Sequence, residues 1–109
     1  MPPALDSLAM SQRYQGLVRA LEAAVLEGPG RLPPGVRRTI AEGGPPPEAL
    51  AAYVEKVRTQ AYRVTGEDVA ALVRAGHDED EVFEATVSAA LGAGLLRLRA
   101  GLRALEGKR

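Results

Sequence analysis

Few residues in this chain have side chains suited to chemistry. His77 is the only imidazole, and a lone histidine between a helix stop and an acidic run has the makings of a general base or a metal ligand. A cap on the helix end is the plainer reading of the same position. Arg37 and Arg38 offer paired guanidinium groups of the kind that grip a carboxylate bidentately, or two solvated cations on a short helix. Glu42 and Glu81 are the carboxylates that could serve as a base toward a substrate held by those arginines. The run Asp78, Glu79, Asp80, Glu81, with Glu84 after it, is rich in hard oxygen ligands, but a cation cage needs converging oxygens and a starting helix points these residues in different directions. Helix dipole and solvation account for the run without a metal. Tyr14, Tyr53 and Tyr62 would line a pocket or, more simply, sit at the edge of a core with wet hydroxyls.

What is missing bounds the chemistry further. The chain has no cysteine, which removes disulfides, zinc ribbons, iron–sulfur ligation and thiol nucleophiles together. A thiol peroxidase is thereby excluded, because without a thiolate no sulfenic acid can form. Neither a Gly-rich phosphate loop with its lysine, nor a Ser-His-Asp set, nor an HExxH pair is present. No cofactor is expected.

The elements that must position these residues follow from composition and periodicity. In 109 residues, 46% are hydrophobic but only 4% aromatic, with no Trp; an apolar content of Ala, Leu and Val suits helix-on-helix packing. A chain of this length is read as one domain spanning residues 1–109. Fourteen basic residues balance fourteen acidic ones, so the surplus of positive charge expected of a nucleic-acid binder is lacking. The longest uncharged apolar stretch, Ala85 to Leu96, falls well short of the roughly 20 residues a membrane span requires. MPPALDSLAM lacks the basic start and apolar run of a signal peptide, and a cytoplasmic location is expected.

Leu5, Leu8, Leu17, Val18, Leu21, Ala24 and Val25 recur at threes and fours, predicting an amphipathic first helix that ends near Glu27, where Gly28-Pro29-Gly30 stops it. A short second helix begins at Pro33-Pro34, tolerated in a first turn whose N–H groups have no partner, and runs to about Glu42. The stretch 43–47, Gly-Gly-Pro-Pro-Pro, reads as a stiff connector. Ala49, Leu50, Tyr53, Val54 and Val57 mark a third helix ending near Tyr62. Thr65 with Asp68 forms a capping-box pattern ahead of a fourth, with Val69, Leu72 and Val73 inward and Gly76 as its stop. The last helix is loaded with acids at its start and with Arg97, Arg99, Arg103, Lys108 and Arg109 at its end, both favoured by the macrodipole. Its apolar positions include Val82, Phe83, Val87, Leu91, Leu95, Leu98, Leu102 and Leu105.

Glycine inside a helix costs about 1 kcal/mol relative to Ala, so Gly92 and Gly94 call for compensation. The run Ser88, Ala89, Gly92, Ala93, Gly94 supplies small residues that permit a tight helix crossing, either within the chain or between subunits. These five are the candidate interface residues.

The stretch VTGEDVAALVRAGHDEDEVFEATVSAALGAGLLRLRAGL resembles the C-terminal half of the carboxymuconolactone decarboxylase and alkylhydroperoxidase D-like (AhpD-like) superfamily, where "TDEDVAALRAAG" precedes "DEEIFEAVLVAAL". Upstream, LEAAVLEGPGRLPPGVRRTIAEG looks like the family's "PGxLPPxLRE" entry segment. Between the two, the family carries a catalytic hairpin with a CxxC pair or one Cys, a His soon after, and a Glu from the preceding helix. Here Ala41-Glu42-Gly43 runs directly into Gly44-Pro45-Pro46-Pro47, and Arg38 stands where the family's Glu would be, so no family catalytic residue is carried over.

The resemblance implies an all-α, AhpD-like bundle of about five helices and a homo-oligomer, trimeric or hexameric, formed through the long C-terminal helix. The leading expectation is a non-catalytic member of the superfamily acting as a self-associating structural, binding or regulatory protein. The alternative is a cysteine-independent decarboxylase or isomerase acting on a small carboxylic acid or lactone through His77, Glu42, Arg37 and Arg38. A small acidic ligand fits either; a nucleic-acid or membrane partner fits neither.

Overall fold

The computed structural model describes the backbone of residues 3–107 and the side chains of Gln12 and of Tyr14 onward. Leu5, Leu8, Lys108 and Arg109, named above, lie outside the described side chains. The fold is all-helical, with no strand among the described residues: α1 (Pro3–Leu26), α2 (Pro34–Ala41), a 3-10 turn (Glu48–Leu50) leading into α3 (Ala51–Gln60), a second 3-10 turn (Ala61–Arg63), α4 (Gly66–Arg74) and α5 (Glu79–Gly107). No helix of the described residues is long and apolar enough to cross a membrane.

The helix ends follow local chemistry. At α4, the Thr65 hydroxyl accepts from the Asp68 N–H at 3.3 Å and the Asp68 carboxylate accepts from the Thr65 N–H at 2.8 Å, the reciprocal capping box. Lys56 of α3 adds an ion pair to Asp68 at 2.9 Å. Gly76, at φ +107, then ends α4: its N–H reaches Val73 O and the His77 N–H reaches Leu72 O, both at 3.0 Å, the pair of bonds that defines a Schellman stop. Gly43, at φ +85, does the same for α2, with the Gly43 and Gly44 N–H groups on Ile40 O and Thr39 O. Both positions need the left-handed conformation that glycine takes at low cost.

α5 is the spine. Val82, Ala85 and Ala89 are buried along one side of it and meet Leu32, Ile40, Leu50, Tyr53, Val54 and Val57 from the loop before α2, from α2 itself, from the first 3-10 turn and from α3. Each buried aliphatic side chain contributes roughly 1.5–3 kcal/mol. Tyr53 departs from the core-edge expectation: it is buried, and its hydroxyl bonds to the Thr86 Oγ1 at 2.7 Å while Thr86 donates to Val82 O. Tyr62, by contrast, is exposed. Phe83, one of the apolar positions of α5, is 66% exposed, because Val82 takes the core seat and the next residue lies about 100° round the helix. Val73 likewise faces outward.

α1 packs on α5 in the antiparallel sense. Glu22 pairs with Arg99 at 3.6 Å, and Tyr14, nearer the start of α1, shares a groove with Leu102, nearer the end of α5. The two helices extend as an arm, so the molecule measures 58 × 28 × 21 Å with a radius of gyration of 16.4 Å, against about 13 Å for a compact domain of this size.

Candidate functional site

The loop between α1 and α2 is held from two sides. Arg37 is 2% exposed. Its Nε donates to Leu32 O at 3.0 Å, NH1 to Val25 O at 2.9 Å and NH2 to Gly28 O at 2.7 Å. Glu84 of α5 accepts from the backbone N–H groups of Arg31 and Leu32, at 2.9 and 2.7 Å. Gly30 passes so close to this carboxylate that a Cβ there would lie 2.8 Å from it. Arg37 therefore does not reach toward a substrate. It closes the end of α1 and fixes the entry to α2.

Arg38 turns outward to Glu27, at 2.6 Å. Together with Glu42, Glu22 and Arg99 it lines a small cleft of about 80 Å³. Two of the five residues that sequence reasoning proposed for chemistry, Arg38 and Glu42, thus share one cleft. His77 lines neither that cleft nor the groove described below; its backbone N–H completes the α4 stop, a bond that any non-proline residue at this position would make. Asp78 and Glu81 open α5: Asp78 Oδ1 accepts from the Asp80 N–H at 2.7 Å and Glu81 accepts from the Asp78 N–H at 3.2 Å. Among the described residues no three His, Asp or Glu side chains gather as a metal site.

The small-residue face of α5 is spent within the chain at three of its five positions. Ser88 and Ala89 are buried in the core. At Gly92 an added Cβ would stand 2.0 Å from Ala41 O, so α2 crosses α5 backbone to backbone. Ala93 is half-buried, and Gly94 is exposed with open space around it. Ser88, Ala89 and Gly92 consequently serve an internal contact rather than a subunit contact, since the space beside them is already filled by this chain.

The same crossing creates a groove of about 480 Å³ between the end of α2, the last turns of α3 and the middle of α5. Its apolar surface comes from Ile40, Ala89, Gly92, Ala93 and Leu96; its charged groups are Arg58, Arg97, Arg99 and Glu42. Arg58 is fixed there by donating from NH2 to Ile40 O and Gly44 O, each at 2.8 Å, which also satisfies the end of α2. Sequence reading overlooked Arg58 and Glu84 as organising residues. Nothing local marks them, because their partners are backbone groups far away in the chain.

Compared with known proteins, the chain matches no family model, no curated protein and no solved structure.

Proposed function

We propose that this protein is a non-catalytic member of the carboxymuconolactone decarboxylase and AhpD-like superfamily that works by self-association, as a structural or binding subunit. The observation that carries this reading is the α1–α5 arm. On α5, Leu91, Leu95, Leu98, Leu102 and Leu105 alternate at spacings of four and three, the repeat of a coiled-coil seam. Leu95 is buried, yet Leu98 is exposed and Leu105 is 65% exposed. On α1, Leu17 and Leu21, one turn apart, are exposed as well. Between the helices lies an open groove of about 240 Å³ lined by Tyr14, Val18, Leu98 and Leu102. A two-helix layer carrying this much leucine leaves its apolar area in water, and a second layer of helices removes it.

The occupant is a second copy of the chain. Where α1 and α5 run side by side over described side chains, from Tyr14 to Leu26, a face two helices wide and about 20 Å long covers on the order of 400 Å². That is about half the ~800 Å² per partner typical of a stable complex, the size of a contact that dissociates on dilution. A symmetric pairing of arms requires no other molecule. The engagement of Arg37 with three carbonyls and of Arg38 with Glu27 supports the non-catalytic part of the reading, as does the absence of any thiol.

The surface is tested by charge insertion. The double substitution Leu17→Glu with Leu105→Glu, at two exposed positions, is expected to give a folded monomer by circular dichroism and light scattering at concentrations where the unchanged chain is larger. An unchanged oligomer in the double variant would contradict the arm as the contact.

A further inference from the structure

We infer that the groove between α2, α3 and α5 is a binding site for a small monocarboxylate with a short apolar tail. The inference concerns this groove alone and holds whether or not the arms associate. The volume, about 480 Å³, falls in the range of small-molecule sites. Its floor is the half-buried Ala93 of α5, beside the point where Gly92 meets the α2 backbone, and its wall is Leu96, a leucine 68% exposed. Such a hollow takes hydrocarbon.

The rim supplies the charge. Arg58 is pre-positioned by its two carbonyl acceptors, and its NH1 has only a 4.0 Å contact to Glu55. Arg97 has no ion pair among the described residues, and Arg99 has only the 3.6 Å contact to Glu22. Three arginines and one carboxylate, Glu42, line the groove. Guanidinium forks match carboxylates and phosphates alike. Here the negative end of the α2 dipole and Glu42 both border the groove, which disfavours a dianion. A single negative charge with an apolar tail satisfies both parts of the surface.

The test uses the full chain and four probes: hexanoate, acetate, hexylamine and inorganic phosphate. Titration followed by amide NMR is expected to show saturable shifts with hexanoate, centred on Gly43, Gly92, Ala93 and Leu96, at unchanged molecular mass. Acetate and phosphate should bind more weakly and hexylamine should leave those amides unmoved. Arg97→Met should weaken hexanoate binding about tenfold, the scale of one charged hydrogen bond. Ala93→Leu, which fills the floor, should abolish binding while the circular dichroism and melting curve stay native. Phosphate or hexylamine binding as well as hexanoate would overturn the inference, as would an absence of saturable shifts at millimolar hexanoate or full affinity in a folded Ala93→Leu variant.

Discussion

Arg37 and Glu84 hold the same residue from opposite sides: Arg37 Nε donates to the carbonyl of Leu32 at 3.0 Å, and the Leu32 N–H donates to Glu84 Oε1 at 2.7 Å. Leu32 itself is buried in the core, so the clamp ties the entry to α2 to the spine helix. Arg37→Met should therefore cost about 2–4 kcal/mol in urea unfolding, since the buried carbonyl of Leu32 and the half-buried ones of Val25 and Gly28 lose their donor. Arg37→Lys should recover little, because an ammonium cannot serve three diverging acceptors in one plane.

Gly92 and Gly94 look alike in sequence and should respond oppositely to alanine. A Cβ at Gly92 meets the Ala41 backbone, which no rotamer change relieves, and Gly92→Ala is expected to cost about 3 kcal/mol or more. Nothing lies near Gly94, so Gly94→Ala should gain up to about 1 kcal/mol of helix stability. Thermal unfolding of the two single variants checks the pair.

Ser88 Oγ is fully buried and has no hydrogen-bond partner among the described residues. Ser88→Ala removes an unsatisfied polar atom from the core and should leave stability unchanged or raise it by about 1 kcal/mol. A clear loss in urea unfolding would mean that the hydroxyl has a partner.

The hydrogen bond from Lys56, with that from the Thr65 backbone, holds the Asp68 carboxyl below its ordinary pKa. A folded-state value depressed in this way stabilises the fold above the unfolded pKa, about 3.9. That contribution fades as the pH falls through the folded value. Asp68→Asn should flatten the acid limb of the stability profile, measured by urea midpoints from pH 6 down to about pH 3, and leave its slope above pH 6 unaltered.

The legible parts of this fold are those whose causes lie within a few residues. Thr65 and Asp68 cap α4, Gly76 stops it, and the acids at the start of α5 lie where the helix dipole favours them; each was readable because donor and acceptor sit within one turn. Phe83 is apolar yet exposed because adjacent apolar residues compete for one inward seat, and only the position of α3 decides for Val82; Val73, expected inward beside Leu72, loses its seat in the same way. Arg37 and Arg58 are indistinguishable in sequence from surface arginines, since what they bind is a set of carbonyls brought near by the packing of other helices. The small-residue run on α5 predicted a close approach without saying which helix approaches. Glu42 and Arg38 were named for chemistry and do share a cleft, whereas the larger groove is bordered by Arg58, Arg97 and Arg99, which periodicity alone assigns to solvent.

The most direct test of the central claim is the mass of the unchanged chain in solution, measured by sedimentation velocity across micromolar concentrations. The arm predicts a species at least twice the monomer's 11.5 kDa that dissociates on dilution. A single monodisperse monomer throughout that range would contradict it.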